Sequence, residues 1–467
     1  MKYVRFTGRL VIVGFGSIGQ GVMPLILKHI DMDPARILIV TAEDRGHQVA
    51  EEYGIRFTRT ALTRKNYRLV LEPLLAAGDF LLNVSVDVCS TALIELCREK
   101  GALYLDTCTE PWAGGYTDTS LPPSMRSNYA LRESLLKLRN GDRGPTAVAT
   151  HGANPGLVSH FVKKALMDVA RGIGVNAGRP SSRRDWSELA ETLSIKVIHI
   201  AERDTQVANQ PKRPGEFVNT WSIDGFVGEG CQPAELGWGS HEKALPPDGR
   251  RHEFGCDSGI YLTRPGASTR VRSWTPGEGP YHGLLITHAE SLSIADYYTI
   301  REGSTLRYRP TVHYAYHPCD DAVLSLHELA GKNWRLQDEK RLMMDEIVSG
   351  VDELGVLLAG HAKGAYWYGS HLSIDEARRL CPHNNATSLQ VTVAVLAGLV
   401  WALEHPDRGI VEPDEMDYPR ILEICFPYLG KMVGAYSDWT PLTGRGVLFP
   451  EDMDLADPWQ FRNVRVV

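Results

Sequence analysis

Short apolar runs alternate with helical stretches through the first third of the chain. Arg9 to Val13 is a β-branched run ending in Gly14-Phe15-Gly16-Ser17-Ile18-Gly19, and Val22, Leu25, Ile26 and Ile30 then recur at helical spacing. A second apolar strand, Ile37 to Val40, ends at Thr41-Ala42-Glu43-Asp44. The pattern next predicts a helix over Tyr67 to Ala76, a strand over Asp79 to Val84, a helix over Ser90 to Lys100 and a strand over Ala102 to Asp106. Strand, glycine turn, helix and strand in that order form the βαβ unit of a doubly wound parallel sheet. A further strand, Ala147 to Thr150, runs into His151-Gly152-Ala153-Asn154-Pro155-Gly156, a turn rich in Gly, Asn and Pro. A helix follows from Leu157, with Val158, Phe161, Val162, Ala165 and Leu166 in its apolar pattern.

From about Arg171 the periodicity changes. Gly172 to Arg184 reads as a loop, whereas Ser194 to Ile200, Thr220 to Val227 and Tyr281 to His288 read as strands among frequent Gly and Pro. The expected organisation is a Rossmann domain over 1–156 and a second, mainly antiparallel α+β domain over 157–385. A C-terminal segment over 386–467 then returns to the first domain through an apolar helix, Thr387 to Leu403. The longest apolar stretch, Val391 to Leu403, falls short of the ~20 residues a membrane helix needs and reads as a buried core helix. No membrane partner is expected.

Composition narrows the function class. At roughly 150 residues per domain, 467 residues suit two or three domains, and 43% hydrophobic with 23% charged residues is an ordinary globular balance. A formal charge of −7 argues against a general nucleic-acid binder, which would be basic. Eight cysteines are scattered without a CxxC pair, which predicts reduced thiols in a cytoplasmic protein with neither disulfides nor a metal site.

The candidate chemistry lies at the strand ends, where open α/β sheets bind ligands. GxGxxG alone is weak, but here it sits between strand and helix and acidic residues follow about twenty positions later. Gly14 permits the tight turn, Gly16 lets a pyrophosphate approach, and Gly19 lets the helix pack on the strand. The helix start at Ser17 and Ile18 offers N–H groups and a positive dipole end. Glu43 or Asp44 would accept hydrogen bonds from ribose hydroxyls, which favours NAD over NADP, although Arg45 beside them pulls the other way. Asp87, Thr107 and Glu110 also follow strand ends and are expected on the cofactor side, while Asn154 is expected to turn its amide toward the nicotinamide.

Between His199 and Glu242, seven carboxylates (Glu202, Asp204, Glu216, Asp224, Glu229, Glu235, Glu242) face three cations (Arg203, Lys212, Arg213), with Trp221 and Trp238 among them. Carboxylates beside an indole face suit an alkylammonium ion. A solvated acidic region with core tryptophans has the same composition.

The stretches GFGSIGQG, DTCTEPW, HGANPG, ERDTQ, FVNTWS and EGCQPAELGWG together resemble the bacterial homospermidine synthases, of the saccharopine-dehydrogenase-like group, across essentially the whole chain. The resemblance implies an NAD-binding Rossmann domain, a second domain for substrate and dimerisation, and a homodimer. It implies joining two putrescines (or putrescine and spermidine) to sym-homospermidine with release of ammonia, through NAD-mediated oxidation, imine exchange and re-reduction, NAD not being consumed. It also implies roles: Trp221 as the cation–π residue, Glu202 and Glu229 as ammonium-binding carboxylates, Asn154 as a polar contact, and His288 as a proton shuttle. Two alternatives stand beside it. A saccharopine/carboxynorspermidine dehydrogenase-type reductive condensation would need arginine or lysine near the nicotinamide, and a non-catalytic NAD-sensing protein would need no Trp-carboxylate cluster.

Overall fold

The computed structural model describes residues 1–139, 141 and 143–467. Its first sheet has seven parallel strands. Six come from the first third of the chain: β1 (Leu10–Val13), β2 (Ile37–Thr41), β3 (Arg56–Arg59), β4 (Phe80–Asn83), β5 (Leu103–Asp106) and β6 (Ala147–Val148). The order across the sheet is β6-β5-β4-β1-β2-β3, and Ile410–Val411 from far along the chain completes it beside β6. The strand order reverses beside β1, the Rossmann switch point where a dinucleotide sits. Leu10 and Ile12 face one hydrophobic core and Val11 and Val13 another, so β1 is apolar throughout because both its faces are covered.

Helix α1 (Ser17–His29) follows β1, and α2 (Leu157–Ile173) follows the turn after β6. The chain then builds an eleven-stranded sheet around β7 (Val197–Asp204), β8 (Pro233–Gly237), β9 (Gly259–Pro265), β10 (Thr311–His317), β11 (Val351–His361) and β12 (Gly364–Ser373). This sheet is mixed, which refines the expectation of an antiparallel domain. Its central pair, β7 and β10, is parallel, and β11 is antiparallel to β7. Alternation along β7 sends Ile198 and Ile200 into the main core, and Val197 and Ala201 to the outer face against Trp367.

The segment read as a strand over Thr220 to Val227 is a helix, α3 (Ile223–Cys231). Its sequence, IDGFVGEGC, is poor in helix formers, but the Ser222 hydroxyl accepts the Gly225 N–H at 3.1 Å and caps it. Helix α4 (Ala289–Tyr297) begins directly after His288.

The apolar helix of the C-terminal segment, α5 (Ala386–Glu404), has 19 residues. By length and composition it passes as a membrane span, but 89% of its apolar window is buried inside the protein. It packs on α1, and a side chain at Gly398 would meet Leu105 of β5 at 2.6 Å. Beyond it the chain serves both sheets, since Ile410–Val411 joins the first and β13 (Lys431–Ser437) pairs with β12 in the second.

Candidate functional site

At the β1–α1 turn Gly14 has φ +86°, and an added Cβ would lie 2.7 Å from the Ser85 backbone. A Cβ on Gly19 would meet the Gly14 carbonyl at 2.9 Å, whereas one on Gly16 would meet nothing within 4 Å. The turn is thus closed at Gly14 and Gly19 and open at Gly16. No side chain caps α1, so the N–H groups around Ser17 and Ile18 are left for an anion. These features fit a dinucleotide pyrophosphate. Glu43 and Asp44 are exposed beyond β2, and the Arg45 guanidinium lies 3.7 Å from Glu43.

The loops after β4 and β5 interlock. Ser85 donates to Asn83 at 2.6 Å, and the Asp87 N–H donates to the Glu110 carboxylate at 3.1 Å. Asp106, at the end of β5, accepts the Thr150 N–H at 2.6 Å and the Tyr104 hydroxyl at 2.8 Å. Thr107 follows it, half-buried. Burial raises Glu110 to about 8, and the Glu229 charge pushes in the same direction. Glu110 is thus held by the segment after β4, through the Asp87 N–H and the Ser90 hydroxyl.

Asn154 makes the other crossing. Its amide donates to Glu202 at 2.9 Å, tying the turn after β6 to the middle of β7. The Tyr314 hydroxyl donates to the same Glu202 oxygen at 2.5 Å. Burial raises Glu202 to about 7, only partly offset by these hydrogen bonds. Asp204 lies two residues on, on the same face, directly opposite Asp352 of β11. The Thr220 hydroxyl donates to Asp204 at 2.7 Å and the Thr387 hydroxyl to Asp352 at 2.5 Å. Burial, reinforced by the Glu202 and Asp204 charges, lifts Asp352 well above the usual carboxylate range.

On the other side of Tyr314, His288 is held between two carboxylates. Its Nε2 lies 2.9 Å from Glu229 of α3 and its Nδ1 3.2 Å from Glu290 of α4. Burial opposes the imidazolium, but Glu290 and Glu229 outweigh it and raise His288 well above its ordinary value. The Tyr314 ring stacks obliquely on His288 at 4.5 Å. Trp221, half-buried just before α3, donates its indole N–H to the Tyr316 hydroxyl at 3.0 Å.

Six carboxyls, those of Glu110, Glu202, Asp204, Glu229, Glu290 and Asp352, are thus buried in one region. Among the described residues, His288 is the only cationic side chain hydrogen-bonded to any of them through its side chain. One oxygen each of Glu290 and Asp352 has no hydrogen-bond partner among the described residues. Burial raises Glu110, Glu202, Asp204 and Asp352 and favours their protonated forms, and a cation entering the region would stabilise the charged ones.

The structure brings Trp221, Glu202, Glu229, His288 and Asn154 together, and it joins Asp87 to Glu110 in the loops after β4 and β5. Of the rest of the acidic window, Asp204 shares this region, whereas Glu216, Asp224, Glu235 and Glu242 lie elsewhere. Glu216 pairs with Arg341 at 2.9 Å and Asp224 with Lys340. Glu235 accepts the Asn128 N–H at 2.7 Å, Glu242 the Thr311 hydroxyl at 2.6 Å, and Trp238 packs edge-on against Phe461. Sequence reasoning missed Asp352, Glu290, Tyr314 and Tyr316. The alternation of β10, which places Tyr314 and Tyr316 on one face, was the one available signal.

The profile described as Saccharopine dehydrogenase NADP binding domain matches residues 10–148, and that described as Saccharopine dehydrogenase C-terminal domain matches residues 152–437. The homospermidine synthase of Blastochloris viridis is 56% identical over 469 residues, covering 99% of this chain and 98% of its own. That of Mesorhizobium japonicum is 52% identical over 472 residues, covering 99% and 97%. The crystal structure of a homospermidine synthase from Legionella pneumophila in complex with NAD is 52% identical, with a TM-score of 0.93 over 99% of this chain and 98% of that one. Matches of this extent, along both sheets and through every segment of the carboxylate site, mean that the chain belongs to the homospermidine synthases, within the saccharopine dehydrogenase family.

Proposed function

We propose that the chain joins two putrescines, or putrescine and spermidine, to give sym-homospermidine and ammonia, with NAD required but not consumed. The observation that supports this most directly is the cluster of six buried carboxyls near an indole, with His288 as their one cationic side-chain partner among the described residues. A diamine supplies the missing charge.

Bound in the Gly14–Gly19 turn, the dinucleotide supplies a hydride acceptor and, later, a hydride donor. Glu43 and Asp44 favour free ribose hydroxyls over a 2′-phosphate, which supports NAD although the family profile is described as NADP-binding.

The residues must select one protonation state at each end of the diamine. An alkylammonium titrates near ~10, and the carbon beside it gives up hydride only once the nitrogen lone pair is free. Glu202, raised to about 7 and held by Asn154 and Tyr314, is matched to take that proton near neutral pH. The distant ammonium stays charged and is gripped by the remaining carboxylates. The Trp221 face stabilises the cationic imine. His288 starts out protonated between Glu229 and Glu290, and hands a proton to the departing amine.

Incubation with putrescine and NAD, with ammonia and homospermidine assayed together, tests this reading. Equimolar ammonia and homospermidine without net NADH are expected. Absence of ammonia removes the proposal, and NADH accumulating one-for-one with product identifies a simple dehydrogenase.

The resemblance also supports a homodimer, which sedimentation velocity checks. The free thiols of all eight cysteines are compatible with a cytoplasmic location, which cell fractionation tests.

A further inference from the structure

We propose that Tyr316 is a positioning residue that fixes the orientation of the Trp221 indole, with Tyr314 as its footing. The proposal rests on the reading of Trp221 as the π face of the site. Tyr314 and Tyr316 alternate on β10 and project from the same face, opposite Ile200 and Glu202 of β7. Their rings stack at 5.1 Å with planes 9° apart. Tyr314 is anchored in turn by its hydrogen bond to Glu202 and its contact with His288.

An indole N–H is a donor with no acceptor capacity, so a buried one needs a specific partner. Tyr316 provides it at 3.0 Å, and Phe226 packs against both rings, 5.1 Å from Trp221 and 5.8 Å from Tyr316. Tyr316 is fully buried and also borders a cavity of about 210 Å³ whose lining includes Leu284, Val323, His282 and His317. The stack on Tyr314 and the indole N–H together set its tilt. Cation–π attraction depends on the ring face being turned to the charge. Losing the acceptor therefore weakens stabilisation of the cation formed at the reacting carbon, while the carboxylates still hold the distant ammonium.

The test is Y316F, which keeps the ring and the stack and removes the acceptor. The expected result is a fall in kcat of roughly tenfold, the reach of one neutral hydrogen bond, with KM for putrescine unchanged within about twofold. The double variant W221F/Y316F should be no slower than W221F, because Phe at 221 has no N–H for Tyr316 to hold. Multiplicative losses in the double variant, or a raised KM with normal kcat, would overturn the positioning role. Wild-type kcat in Y316F beside an impaired W221A removes that role alone, whereas a fully active W221A removes the π-face reading beneath it.

Discussion

Glu229 and His288 are 59 positions apart in the chain and 2.9 Å apart in the fold. The pair joins α3 to the start of α4 and keeps a proton inside the carboxylate region. Glu229→Gln retains the shape and removes one negative charge from the diamine side. Calorimetry should show putrescine binding weakened by about tenfold or more, with NAD affinity within about twofold. The reverse pattern would move Glu229 to the cofactor.

The indole makes a graded prediction. Trp221→Phe keeps a weaker π face and should retain partial activity. Trp221→Ala should lose about thirtyfold or more in kcat, the scale of a desolvated cation–π contact. Steady-state kinetics with putrescine measures both, and equal activity in Ala and wild type would reduce the indole to packing.

Glu202 links the site to stability. Burial raises its carboxyl from 4.5 to about 7, so between those values the folded protein holds a proton that the unfolded chain has released. Its contribution to stability is complete below about 4.5 and disappears as pH climbs through about 7. Glu202→Gln removes that dependence. The melting temperature of the ligand-free variant, relative to wild type, should therefore rise from about pH 5 to about pH 8. A difference that stays flat would place Glu202 at an ordinary carboxylate value.

Two glycines of one turn should fail differently. Gly14→Ala puts a methyl 2.7 Å from the Ser85 backbone at φ +86°, and should lower the melting temperature of the ligand-free protein by a few degrees. Gly16→Ala meets nothing within 4 Å and should leave that temperature unchanged while weakening NAD binding. Thermal melts with and without NAD separate the two, and equal loss of ligand-free stability would refute the assignment.

At the end of β2, replacing Glu43 and Asp44 with serine should raise kcat/KM with NADP relative to NAD by about tenfold, because two repelling charges leave the ribose subsite. An unchanged ratio would place both side chains outside it.

Legibility in the sequence followed the range of the interactions. The Rossmann half could be read because each of its strands is apolar on both faces and each turn carries local Gly chemistry. Helix α5 was equally plain, since nearly every position from Ala386 to Ala402 is buried. Helix α3 was misread because a cap at Ser222 and packing, rather than propensity, hold it. The acidic window pointed to Glu202 and Glu229 but could not separate them from Glu216 or Glu235, whose partners include Arg341 and Asn128, 125 and 107 residues away. Asp352 was invisible, since only the register of β11 against β7 places it opposite Asp204.

The pairing of Ile410–Val411 with β6 has a consequence for biosynthesis. The Rossmann half leaves the ribosome ahead of that segment, yet its β6 edge stays open, and β5 and α1 lack the covering of α5, until residues 386–411 have been made. A nascent chain stalled before residue 386 would present an unpaired parallel strand and bare apolar surface, a target for chaperones or for its neighbours on the polysome. For this fold, closure of the first sheet waits on synthesis of the chain through Val411, most of the second sheet included.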